Sequence, residues 1–197
     1  MEYSEIKGVR QPEHKVADFI ISRWSPRALN GVSLADDDLF AVLEAARFAP
    51  SAFNNQPWRF VYARPATPAW ETLFAPLSDF NKTWVKRAGA LVLVISYQKF
   101  SYNQKENPTA SFDTGAAWQN LALEANYRGL VAHPMSGFDY ELMRSNLKVP
   151  ADYRIEAIVA LGYPGAKEDL PLEMQAREIP SGREKLETII SEGVFKF

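Results

Sequence analysis

The run Ala90-Leu91-Val92-Leu93-Val94-Ile95-Ser96-Tyr97 sets the tightest limit on what this chain can become. Apolar residues, many of them β-branched, follow one another without polar alternation, which is the pattern of a strand covered on both faces. Ala90–Tyr97 therefore reads as a buried central strand, and a strand of that kind needs helices to cover it. Helical spacing is present nearby. Leu39, Val42, Leu43 and Ala46 recur at the helical period in a segment over 33–48, whose start Ser33-Leu34-Ala35-Asp36 has the form of a capping box.

The remaining pattern predicts a first helix over 12–22, a strand at Trp58–Ala63, short helices over 70–77 and 81–87, and the longest helix over 109–127 with Gly129 as its stop. Small residues at Gly115, Ala116 and Ala117 are expected to let that helix pack closely. Residues 100–108 form a polar, aromatic loop. Strands near 130–132 and 155–162 flank a helix at Tyr140–Leu147, and a final helix covers 184–191. Four strands and seven helices in this order define an α+β chain, a three-layer α-β-α sandwich with a mixed or antiparallel central sheet. No repeat or low-complexity linker breaks it, so residues 1–197 are expected to form one domain.

Composition removes several function classes. With 0 cysteines there are no disulfides, no thiolate catalysis and no Cys-ligated metal. A formal charge of -2 and a pI near 5.8 provide no electrostatic footprint for duplex nucleic acid. No stretch of about 18 unbroken apolar residues occurs, and Met1-Glu2-Tyr3-Ser4-Glu5 lacks a basic patch followed by an apolar core. The expectation is a cytoplasmic protein with neither membrane span nor signal peptide. His14 and His133 stand in different regions, so no metal site is expected.

Two segments carry chemistry. Ala49-Pro50-Ser51-Ala52-Phe53-Asn54-Asn55-Gln56-Pro57-Trp58-Arg59-Phe60 places amides and hydroxyls between a helix and a strand, where rigid neighbours and prolines can hold a ligand; an ordinary hydrogen-bonded turn is the alternative. Arg23-Trp24-Ser25-Pro26-Arg27 puts two guanidiniums around a hydroxyl, which suits phosphate oxygens, although a solvated helix end could look the same.

Together, and in this order, these segments resemble the FMN-dependent nitroreductase family, which carries Arg-x-Ser-x-Arg/Lys near the N-terminus and Ala-Pro-Ser-x-x-Asn-x-Gln-Pro-Trp about one helix later. Phe80-Asn81 ahead of Trp84, the run His133-Pro134-Met135-Ser136-Gly137-Phe138-Asp139, and Pro180-Ser181-Gly182-Arg183 extend the resemblance over roughly residues 15 to 190. Ser181 departs from it, since other members carry a lysine two residues before the C-terminal arginine.

The resemblance implies FMN as cofactor, NADH or NADPH as donor, and a nitroaromatic, quinone or similar electron-poor acceptor. It implies that Arg23, Ser25, Arg27 and Arg183 anchor the flavin phosphate, with Trp24 in the same segment. Ser51, Ala52 and Asn54 would line the flavin ring from the opposite subunit, and Asn81 would bond its pyrimidine edge. The turn Pro134, Met135, Ser136 and Gly137 would face the flavin from the other side, with a backbone N–H of Ser136 or Gly137 aimed at N5, and Arg27 would stabilise the reduced ring. Gln56 and Trp58 are left to fix the loop and pack the core. Asp139 reads as a helix N-cap, His133 as a turn residue first, and no side chain is assigned as general acid or base. Phe100, Tyr102 or Phe112 are candidate walls for the acceptor.

The resemblance also implies a homodimer with exchanged terminal segments, for which Gly193-Val194-Phe195-Lys196-Phe197 is an apolar, β-prone candidate; a self-packed tail is the alternative. Other readings are dehalogenation or flavin fragmentation on the same fold, a non-catalytic FMN carrier, and a flavin-free interaction module.

Overall fold

In the computed structural model, which describes residue 6 and residues 8–197, four strands form one sheet: β1 (Trp58–Ala63), β2 (Ala90–Tyr97), β3 (Val131–Met135) and β4 (Tyr153–Gly162), in the order β1-β2-β4-β3. Every neighbouring pair is antiparallel, so of the two expected sheet types the antiparallel one holds. The signal-peptide reading rested on Met1 to Glu5, which lie outside the described residues.

The pleat of β2 explains its unbroken apolar sequence. Leu91, Leu93 and Ile95 project into one core, while Ala90, Val92 and Val94 project into a second on the opposite face. Ile158 and Ala160 of β4 share the first core, and Val159 and Leu161 share the second. Each large buried side chain removed from water in this way contributes about 1.5–3 kcal/mol.

Helices cover both faces and complete the three layers. The first core is closed by Trp70 and Leu73 of α3 (Pro68–Phe74), Trp84 and Val85 of α4 (Asp79–Val85), Met143 of α6 (Tyr140–Leu147) and Met174 of α7 (Leu172–Gln175). Across the sheet, Leu39, Val42 and Ala46 of α2 (Asp36–Arg47) meet Ala117, Leu121, Ala122 and Ala125 of α5 (Ala110–Tyr127). The close approach in α5 comes from these alanines. Gly115 is exposed, and a Cβ there would find nothing within 4 Å, so its expected packing role falls away.

Several expectations need correcting. The helix expected over 12–22 is only α1 (Asp18–Ser22), because residues 12–17 are exposed and Ala17 is extended. The supposed capping box does not form: α2 starts from Ala35 without a side-chain cap, and Asp36, Asp37 and Asp38 in the first turn complement the dipole instead. The expected final helix over 184–191 shrinks to a single 3-10 turn at Leu186–Thr188. Ile189 and Ile190 are exposed, and a helix with no covered face cannot recover its nucleation cost. A further short helix, α7, is not announced by the sequence pattern. His133, Pro134 and Met135, read as a turn, belong to β3 and pair with Ala160, Val159 and Ile158.

Candidate functional site

The Arg-x-Ser-x-Arg segment is positioned by the exit of β4. After α1 the backbone turns extended at Arg23. It then runs antiparallel to the residues after β4: Asn30 N–H donates to the Tyr163 carbonyl (3.1 Å) and Gly165 N–H to the Ala28 carbonyl (2.9 Å). Gly165 is required there, since a Cβ would stand 2.5 Å from the Leu29 carbonyl carbon. On the other side, the buried Glu178 carboxylate accepts from the N–H groups of Arg27 (2.6 Å) and Ala28 (2.7 Å).

The Pro26 carbonyl faces Nδ1 of His133 at 3.0 Å, so that nitrogen carries the proton and the ring stays neutral beside Trp84. Burial holds the His133 pKa down at about 4; the hydrogen bond to Pro26 opposes this, and the charges of Arg27 and Arg23 reinforce it.

Next to this segment lies a group of like charges. Burial lowers the pKa of Arg23, and the charge of Arg183 lowers it further. Arg10 falls to about 10 through burial and then through Arg183 and Arg23. Among the described residues, none of Arg10, Arg23, Arg27 or Arg183 has a carboxylate within ion-pair distance. Arg23 donates to the Ser25 hydroxyl (3.2 Å), and Arg183 reaches the Ser181 hydroxyl (3.2 Å) and the Gly182 carbonyl (2.8 Å). Among the described residues the buried Nε of Arg27 has no partner, and Arg27 lines a cavity of about 190 Å³ with Phe80, Glu173, Met174 and Arg177. Cations gathered without an ion-pair partner among the described residues are an arrangement that an anion with several oxygens would relieve.

The turn after β3 joins a second predicted pair. Asn81, at the start of α4 and 8% exposed, donates from Nδ2 to the Gly137 carbonyl at 3.0 Å. A Cβ on Gly137 would stand 2.8 Å from that nitrogen. Ser136 and Gly137 are exposed, and among the described residues their N–H groups enter no backbone hydrogen bond. Asp139 caps α6 by accepting from Leu142 N–H (2.9 Å), as its sequence position implied.

The amide-rich loop stands apart from the arginines within one chain. Phe53, Asn54 and Gln56 take positive φ values of 52°, 52° and 48°, a conformation that costs non-glycine residues energy. Ala52 N–H is held by the carboxylate of Asp113 (3.1 Å), and the Asn55 side chain bonds the Lys99 carbonyl and Ser101. Gln56 N–H donates to the Ser51 hydroxyl (3.0 Å), while Trp58 is buried in the core. Phe53, 79% exposed, meets Phe100 and Tyr102 at ring distances of 5.7 and 5.8 Å.

The structure thus gathers Arg23, Ser25 and Arg183 at one place and Asn81 with Gly137 at another, linked through Pro26 and β3. Pro134 and Met135 lead along β3 into that turn, whereas Trp24 lines a separate groove with Phe19 and Glu178. Ser51, Ala52 and Asn54 bond only within their own neighbourhood. Sequence reasoning missed Arg10, Glu178 and Asp113, each of which bonds a backbone far away in sequence. No His, Cys, Asp and Glu group among the described residues could hold a metal ion, and no described helix is long and apolar enough to cross a membrane.

An antiparallel sheet between helical layers, with a cationic cradle beside its third strand, defines a class that comparison with known proteins makes explicit. The nitroreductase family profile matches residues 20–163, and the chain belongs to that family. It is similar to a solved oxidoreductase containing FMN, with a TM-score of 0.90 and 39% identity over 95% of this chain and 96% of the other. An NADH dehydrogenase of Thermus thermophilus is 35% identical across 66% of this chain and 77% of its own length. An iodotyrosine deiodinase of Thermotoga neapolitana is 27% identical across 65% of this chain and 77% of its own.

Proposed function

We propose that this chain is an FMN-dependent oxidoreductase that moves reducing equivalents from NADH or NADPH to nitroaromatic, quinone or similar electron-poor acceptors. The observation that carries this reading is the group Arg10, Arg23 and Arg183 with Ser25 and Ser181, buried or half-buried in part and without a carboxylate partner among the described residues. Its donors fit a phosphate monoester. The orphaned Nε of Arg27 fits the same ligand, because a buried donor without a partner costs about 1–3 kcal/mol until an acceptor arrives.

When bound, FMN supplies the two-electron redox chemistry, which no side chain of this protein can supply. Arg23, Ser25, Arg27 and Arg183 hold the phosphate. Asn81, whose Nδ2 is already used on Gly137, offers its Oδ1 to the pyrimidine edge. Ser136 and Gly137 offer open backbone donors to the ring, and Arg27 adds positive charge. Ser51, Ala52 and Asn54 line the ring from a second subunit, which accounts for a loop that, among the described residues, makes no bond to Arg23, Arg27 or Arg183 of its own chain. Residues 1–197 act as one domain of a homodimer, and the setting is cytoplasmic.

The deiodinase similarity favours one other reading, reductive dehalogenation on the same cradle with a different acceptor. An absorbance spectrum of purified protein, followed by anaerobic titration with NADH and NADPH, tests the main proposal. Reoxidation by a quinone, a nitroaromatic or a halogenated phenol then separates the two readings. Arg23→Ala and Arg183→Ala should each weaken FMN binding by about 2 kcal/mol. Unchanged binding in both would remove the phosphate assignment.

A further inference from the structure

Arg10 lies outside every motif that pointed to the site, yet only 8% of it is exposed. Its Nε donates to the Ser181 carbonyl (2.9 Å), and one terminal nitrogen donates to the carbonyls of Ile21 (2.8 Å) and Arg23 (2.5 Å). One planar fork therefore ties the segment that carries Arg23 and Ser25 to the segment that carries Ser181 and Arg183. Those two segments share no strand pairing, so their separation depends on contacts of this kind.

A buried guanidinium is ordinarily faced by a carboxylate. Here, among the described residues, the charges that act on Arg10 are Arg183 and Arg23, both of the same sign. Backbone carbonyl dipoles solvate the cation, and no carboxylate among the described residues pairs with it. Lysine could not reproduce the arrangement, because a point ammonium lacks the rigid fork that reaches several carbonyls in one plane.

We propose that Arg10 is a positioning residue for a bound phosphate monoester: it sets the spacing between Arg23 and Arg183 through main-chain carbonyls and adds its positive charge to theirs. This rests on the reading that FMN is the ligand. The prediction is a selective loss. A residue that serves the phosphate alone should matter for FMN and not for riboflavin, which lacks that group.

The test is calorimetric titration of FMN and of riboflavin into the full-length wild type, Arg10→Lys and Arg23→Ala. Arg10→Lys should weaken FMN binding by about tenfold and leave riboflavin within about twofold of wild type. FMN affinity unchanged in Arg10→Lys, or equal weakening for both flavins, overturns the proposal. If Arg23→Ala weakens FMN and Arg10→Lys does not, only the role of Arg10 fails; if neither does, the phosphate reading itself fails. Should Arg10→Lys be unfolded without ligand, its melting temperature is read with saturating FMN or riboflavin. Equal stabilisation by the two supports the proposal, and a wild-type advantage for FMN overturns it.

Discussion

Replacing Asp113 by alanine should loosen the amide-rich loop without dissolving the sheet. The Asp113 carboxylate is 4% exposed and accepts from the Ala52 N–H (3.1 Å) and the Thr109 hydroxyl (3.0 Å). Thr109 keeps a second partner, Asn107 Oδ1 at 2.9 Å, so its loss is small. Ala52 has no such alternative, and an unpaired, half-buried N–H costs about 1–3 kcal/mol. A loss of about 2 kcal/mol lowers the melting temperature of a chain this size by about 4–8 °C. Phe53, Asn54 and Gln56 also hold positive φ values, so the loop gains little by staying closed once Ala52 is released and opens locally. Hydrogen exchange at Asn54 and Asn55, whose N–H groups bond Ser51 and Ala52, should therefore accelerate far more than exchange in β2. Asp113→Asn, which keeps an acceptor oxygen, should fall between. A melting temperature within about 1 °C of wild type, or equal acceleration in the loop and in β2, would refute this account of what holds the loop.

Three further outcomes follow from the same geometry. His133 has a folded pKa of about 4, below its ordinary value of 6.5, so between those values the unfolded chain binds a proton that the folded chain refuses. Wild type should accordingly lose about 3 kcal/mol as the pH falls through that window, a loss absent from His133→Gln, and urea titrations in which the difference between the two proteins is the same at neutral and acid pH would contradict it. Gly137→Ala would press a Cβ to 2.8 Å from Asn81 Nδ2 and should weaken FMN binding about tenfold, measured by fluorescence quenching; unchanged affinity would remove Asn81 from the site. Light scattering of the flavin-loaded protein should return twice the 22.2 kDa chain mass, whereas a stable flavin-loaded monomer would rule out a site shared between subunits.

Where an element was bounded by its own chemistry, the sequence revealed it. Trp58–Ala63, Ala90–Tyr97 and Tyr140–Leu147 match to the residue, because apolar blocks end against Pro57, Gly89 and the capping Asp139. Residues 12–17 and 184–191 have helical periodicity but no covered face, and periodicity alone does not make a helix. The site shows the same division. Arg23, Ser25 and Asn81 stand in compact motifs that can be recognised locally. Arg10, Glu178 and Asp113 act on backbone groups 171, 151 and 61 residues away, and no spacing rule connects a side chain to a carbonyl or N–H at such range.

Pro134 has a consequence for assembly. A proline in an outermost strand has no N–H to offer a newcomer, so the β3 side of the sheet is a poor template for extension. The opposite margin, β1, contains no proline between Trp58 and Ala63, so none of its outward-facing main-chain donors is missing. Of the two margins, β1 is therefore the better berth for a strand that would lengthen this sheet, and the difference is a missing hydrogen.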